Sequence, residues 1–165
     1  MPLALDDIRS LVETGEFKTL VGEFEGQLLD AKAQPYLFAS GSDAKREFAK
    51  DVAAFANANG GCIIAGAETI VSNLHAGEQI VALKPFPETL FNADQYDKII
   101  AEWLYPAPSG LIIKWCPVEA THTHGIGVIF VPTQSPDSKP FLLTRTIGDK
   151  KTTEILLGYA DRHEP

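Results

Sequence analysis

The chain has 165 residues, 45% of them hydrophobic and 22% charged, which excludes a disordered tail and gives enough length for one domain with its own core. A net charge of −8 argues against indiscriminate coating of nucleic acid, because such binding comes from neutralising phosphates with Lys and Arg. Apolar runs such as Leu111–Ile113 and Gly125–Val131 are too short to cross a bilayer, and an N-terminus carrying Asp6 and Asp7 does not read as a signal peptide, so a cytoplasmic protein off the membrane is expected.

Asp6 to Glu13 reads as a short helix, with Leu5, Ile8, Leu11 and Val12 at helical spacing and Gly15 to close it. Phe17–Phe24 is expected to be extended, and Gln27–Ala33 carries a weak strand pattern around Leu29. Pro35 to Ser42 is turn-rich, after which Asp43–Ala58 gives the clearest helix of the chain. Phe48, Val52, Phe55 and Ala56 form its apolar stripe, and Asn57-Ala58-Asn59-Gly60-Gly61 ends it. Cys62–Gly66 is a continuous apolar run, as a buried central strand requires, and Cys62 and Cys116 read as buried thiols rather than a disulfide framework. Further on, a strand is predicted at Gln79–Leu83, a helix at Ala93–Trp103, and neighbouring strands at Leu111–Val118 and Gly125–Val131. One or two strands follow around Phe141–Thr144 and Glu154–Tyr159. The whole reads as one α+β domain over 1–165, a single mixed β-sheet packed with a few helices.

Chemistry is suggested first by Asp30-Ala31-Lys32. On a strand, residues two apart share a face, so a carboxylate and an ammonium point into one space. Many metal-dependent nucleases use that pair, the carboxylate holding the ion and the lysine steadying a phosphate. Glu25 can join them if the chain bends at Gly26, and Glu68 stands just beyond the apolar strand, where loops meet the sheet. Converging carboxylates need a cation or a shared proton, and an oxygen-rich set suits Mg²⁺ or Mn²⁺. Lys45, Arg46 and Lys50 make one basic cluster, and Lys139, Arg145, Lys150 and Lys151 a second; each is either a phosphate track or a solvated face. Asn57, Asn59, Gly60 and Gly61 either form a backbone nest for a phosphate or simply terminate the helix. Cys116, His122 and His124 do not have a standard zinc spacing and read as a polar hairpin loop, while Trp103 fits the apolar side of its helix.

The run Lys50-Asp51-Val52-Ala53-Ala54-Phe55-Ala56-Asn57-Ala58-Asn59-Gly60-Gly61-Cys62-Ile63-Ile64-Ala65-Gly66 resembles the signature of the Schlafen/AlbA-like domain family, a helix ending Ala-Phe-Ala-Asn-x-x-Gly-Gly that feeds an apolar strand closed by Gly. Glu25-Gly26-Gln27-Leu28-Leu29-Asp30-Ala31-Lys32 looks like the same family's upstream element, Glu-Ser-x-x-x-Glu-Phe-Lys, with Gly26, Asp30 and Ala31 as departures. The resemblance covers 25–68, between an N-terminal part at 1–24 and the remaining sheet and helix at 69–165. It implies a nucleic-acid-handling domain. Vertebrate members are metal-dependent endoribonucleases acting on tRNA and rRNA, with three acids at the site, matching Glu25, Asp30 and Glu68, the last in place of the usual Asp. Bacterial members carry instead the label of DNA- or ATP-binding domains. The expectation is therefore an endoribonuclease cleaving structured RNA such as tRNA. Glu25, Asp30 and Glu68 would hold Mg²⁺ or Mn²⁺, with Lys32 at the scissile phosphate and Lys45, Arg46, Lys50, Asn57, Asn59 and Gly60 binding nucleic acid. The alternatives are a noncatalytic DNA- or RNA-binding module and a nucleotide-binding regulator. Vertebrate Schlafens pair two lobes around an RNA groove, which implies a homodimer for a one-lobe chain.

Overall fold

Alternation of buried side chains along one strand organises the molecule. In the computed structural model, which describes residues 3–118 and 120–145 and the backbone of Glu154–Ile155, Cys62 and Ile64 of β2 (Gly61–Ala65) face one hydrophobic cluster, while Ile63 and Ala65 face another. A strand buried on both faces gains from apolar residues at every position, which is why this run does not alternate with polar ones. β2 pairs in parallel with β1 (Leu29–Lys32) and antiparallel with β8 (His124–Val131). β8 also pairs antiparallel with β7 (Ile112–Pro117) and, over Phe86↔Gly125 and Pro87↔His124, with β5 (Phe86–Pro87). Between β2 and β5 the chain makes a hairpin of β3 (Ala67–Val71) and β4 (Glu78–Leu83). A small sheet of order β10-β9-β6 joins Glu154–Ile155, Leu142–Leu143 and Leu104–Tyr105.

Helices cover both faces of the main sheet. On one side, α2 (Ser42–Asn57) and α3 (Ala93–Trp103) bring Phe48, Val52, Phe55, Tyr96 and Ile99 against Ile63, Ala65, Ile129 and Val131. On the other, α1 (Leu5–Thr14) brings Ile8 and Val12 against Leu29, Cys62, Ile64 and Phe130. α3 starts at Asn92, whose side chain accepts from the Gln95 amide and so satisfies a donor that the first turn leaves open. This is an α+β fold. Among the described residues no helix is long and apolar enough to cross a membrane.

The predicted elements recur with small shifts, with two exceptions. Phe17–Phe24 is extended only in its second half, where Phe24 bridges Gln79 of β4: Phe17–Leu20 is a 3-10 turn, because Phe17 and Leu20, three apart, are both 1% exposed and a three-residue repeat puts them on one side. The stretch after Gly66 is not loop but β3, so Glu68 lies within a hairpin strand. Cys62 and Cys116 are buried free thiols, and burial pushes the Cys62 thiol well above its ordinary range. Lys150, Lys151, residues 156–159 and the side chains of Glu154 and Ile155 lie outside the described residues.

Candidate functional site

The site begins with the pleat of β1. Leu29 and Ala31 point toward the α1 side, so Asp30 and Lys32 point toward α2. Lys32 Nζ stands 3.5 Å from Asp30 Oδ2, 3.2 Å from Asp51 Oδ2 and 3.7 Å from Glu47 Oε1. Glu47 and Asp51 are four residues apart on α2, one helical turn, and therefore face β1 together. The Tyr36 hydroxyl donates to Asp51 Oδ2 at 2.6 Å, and the Tyr36 ring lies 5.9 Å from Lys32 Nζ. Burial works against the charge on Lys32, but Asp30, Asp51 and Glu47 outweigh it and hold the ammonium above its ordinary pKa. Asp51 is only 6% exposed, so Lys32 is the countercharge of a buried carboxylate.

Glu25 approaches from the preceding loop. Its Oε1 accepts from the Ala31 amide at 2.7 Å, and Asp30 beside it favours the protonated form of its carboxyl. A neighbouring carboxylate disfavours a second negative charge. Burial pushes Glu25 up to about 7, the Ala31 N–H opposes the rise, and the charges of Asp30 and Glu78 add to it. The folded value lies above the unfolded 4.5, so this group contributes stability that is fully present below about 4.5 and lost as pH rises through about 7. Glu25→Gln removes the titrating group. The urea midpoint of the native chain relative to Glu25→Gln is therefore expected to fall across that window; a difference that stays flat would contradict the raised Glu25 value.

Glu68 stands elsewhere. Its Oε2 lies 3.3 Å from Lys84 Nζ, and both side chains are about half exposed beside a shallow groove walled by Pro35, Leu37, Phe86 and Leu90. Among the described residues there is no group of three or more His, Cys, Asp or Glu side chains that could hold a metal ion. The structure thus brings together Glu25, Asp30 and Lys32 and leaves Glu68 with a different lysine. Among the described residues these acids are thus not grouped as an Mg²⁺ or Mn²⁺ centre requires: Lys32 lies against Asp30, and Glu68 is paired with Lys84.

The turn after α2 has its own work in the fold. Asn57 Nδ2 donates to Phe141 O at 3.1 Å and the Phe141 amide donates back to Asn57 Oδ1 at 2.7 Å. Lys139 Nζ donates to Ala58 O at 2.6 Å and Thr133 Oγ1 to Asn59 O at 3.0 Å. These bonds staple the turn to the segment after β8. On α2 itself, Arg46 and Lys50 are one turn apart on a stripe distinct from that of Glu47 and Asp51, and Lys45, Arg46 and Lys50 are all partly exposed. Arg145 bonds Glu102 at 3.3 Å.

Sequence reasoning missed Asp51, Glu47 and Tyr36. The signal for Asp51 was present: three residues after Phe48 and one before Val52, it falls beside the apolar stripe, and a carboxylate placed there demands a partner.

Fold and geometry define an α+β domain with a part-buried acid–lysine cluster, built around the buried Asp51, between an edge strand and a helix. No protein-family model matches the chain, and no curated protein matches it. Among solved structures, the N-terminal domain of a RecG-related protein from Nitrosomonas europaea is similar at a TM-score of 0.47 and 18% identity, over 92% of this chain and 90% of that one. A likeness at that level assigns neither family nor activity.

Proposed function

We propose that the domain is a noncatalytic nucleic-acid-binding module, with RNA favoured over DNA. Support for the ligand class comes from the run Lys50–Gly66, which resembles the Schlafen/AlbA-like signature and folds as the helix, glycine turn and buried strand that the resemblance implies. The observation that carries the noncatalytic part is the division of the acids: Glu25 and Asp30 share one place, and Glu68 pairs with Lys84 in another. The surface for phosphates in this reading is the basic stripe of α2, Arg46 and Lys50 with Lys45 beside them. Since phosphate contacts release counterions, each one lost should reduce the salt slope of binding by roughly one. The double variant Arg46→Glu/Lys50→Glu is expected to weaken binding of labelled tRNA by more than about tenfold at low salt and to flatten its salt dependence. An unchanged affinity and slope would overturn this surface.

One observation favours a second reading, a metal-dependent endoribonuclease: Asp30 does sit against both Glu25 and Lys32. It requires Glu68 to leave Lys84 and join them around Mg²⁺ or Mn²⁺. Cleavage of tRNA that depends on Mn²⁺ and disappears in Asp30→Ala would establish it. A single lobe offers half of a two-sided RNA groove, so the bound form in either reading is a homodimer, to be seen by light scattering with RNA present.

A further inference from the structure

β1 is an edge strand whose outer side is closed in an unusual way. Its even-numbered residues bond to β2, as Cys62 N to Leu28 O at 2.8 Å and Gly66 N to Lys32 O at 2.7 Å demonstrate. Ala31 therefore turns its N–H outward, away from the sheet. Across that edge runs the segment Gly22–Glu25, which is laced to β4 by main-chain bonds: Gly22 N to Ile80 O, Ile80 N to Glu23 O and Glu25 N to Glu78 O, each 2.8 Å. Between this strap and β1, the main-chain bond among the described residues is Gly26 N to Leu29 O at 3.0 Å, which closes a local turn. The Glu25 carboxyl supplies the rest, accepting from Ala31 N at 2.7 Å. A side chain thus stands where a sheet would place a ladder bond, and an edge strand left open is prone to fraying and to wrong pairing.

We infer that Glu25 is a clasp: its bond to the Ala31 amide holds a seam between β1 and the Gly22–Glu25 strap, and releasing it opens the cleft beside that seam. The cleft measures about 870 Å³ and is lined by Leu3, Ile8, Phe24, Glu25, Leu28 and His75, so the strap forms one of its walls. Glycines stand at both ends of the moving part: Gly22 has φ +101°, and nothing lies within 4 Å of a Cβ built at Gly22 or Gly26. The bonds to β4 and the burial of Ile80 keep the strap with the hairpin, so the parting falls on the β1 side. The clasp depends on hydrogen-bond geometry and is independent of the nucleic-acid reading.

Amide hydrogen exchange on the full chain, read residue by residue by NMR, tests it. In Glu25→Ala the amides of Ala31 and Gly26 should exchange on the order of tenfold faster, the loss of one hydrogen bond, while those of Ile64 and Val128 keep their protection. Glu25→Gln, which retains an acceptor oxygen, should keep the native pattern. Ala31→Pro removes the donor and leaves Glu25 in place, at an edge position whose N–H does not bond to β2, and should speed Gly26 exchange to the same extent as Glu25→Ala. Unchanged protection of Ala31 in Glu25→Ala, or a loss spread evenly over β2 and β8, would overturn the clasp. So would a Gln variant as labile as the Ala variant, or an Ala31→Pro chain in which Gly26 stays protected.

Discussion

Lys32→Met should destabilise the domain by about 3 kcal/mol, because removing one partner of a buried ion pair leaves the other charge uncompensated. Asp51 is the residue left behind: 6% exposed, it keeps the Tyr36 hydroxyl at 2.6 Å but loses an ammonium at 3.2 Å. Asp30 and Glu47 lose the same cation, so the carboxylates around the vacated position repel one another as well. Adding Asp51→Asn to Lys32→Met should restore part of the loss, since a neutral amide tolerates burial where a bare carboxylate does not. Urea denaturation of the single and double variants measures both quantities. A Lys32→Met chain within about 1 kcal/mol of the native one would mean that the pairs behave like solvated surface bridges. This expectation treats Lys32 as a structural countercharge. An ammonium held by carboxylates from β1 and α2 has little to offer a phosphate until those carboxylates are themselves neutralised.

Gly60→Ala should cost about as much, about 3 kcal/mol, from two sources that add. Gly60 has φ +84°, a left-handed conformation in which an L side chain loses roughly 1–2 kcal/mol. Its Cβ would also stand 2.6 Å from Val131 O and 2.9 Å from Thr133 N, main-chain atoms at the end of β8 that cannot swing aside as a side chain would. Relief requires the turn to draw back, against the reciprocal Asn57–Phe141 bonds and the Lys139 bond to Ala58 O. Thermal unfolding of the variant measures the loss, and a melting temperature equal to that of the native chain would contradict this account. In this chain the glycines and asparagine of the signature run serve the junction between α2 and β2. Their presence alone does not mark a phosphate site.

Those two residues also mark how far the sequence could be read. Helical spacing at Phe48, Val52 and Phe55 and the unbroken apolar run at Cys62–Ala65 reveal α2 and β2 within about a residue, because burial on a fixed period is a local property. Phe17–Leu20 was harder, since two apolar residues three apart fit a 3-10 turn as well as an irregular strand. At the site, the pairing of Asp30 with Lys32 follows from the pleat, and the bend that admits Glu25 was legible in Gly26. The position of Glu68 was not, because it depends on the chain continuing from Gly66 into a hairpin that sets Glu68 opposite Ala82 and brings Lys84, just past the end of β4, within reach. Asp51 and Glu47 reach Lys32 through the packing of α2 on the sheet, a tertiary relation that no spacing within either segment expresses.

Manganese binding followed by electron paramagnetic resonance tests most directly whether the acids of this fold act apart. With Lys32 against Asp30 and Glu68 held by Lys84, titration of the full chain at neutral pH should reveal only weak, nonstoichiometric uptake, unchanged in Asp30→Asn and in Glu68→Gln. One Mn²⁺ per chain, lost in both variants, would mean that the three carboxylates meet after all, and the noncatalytic reading would give way to the enzyme.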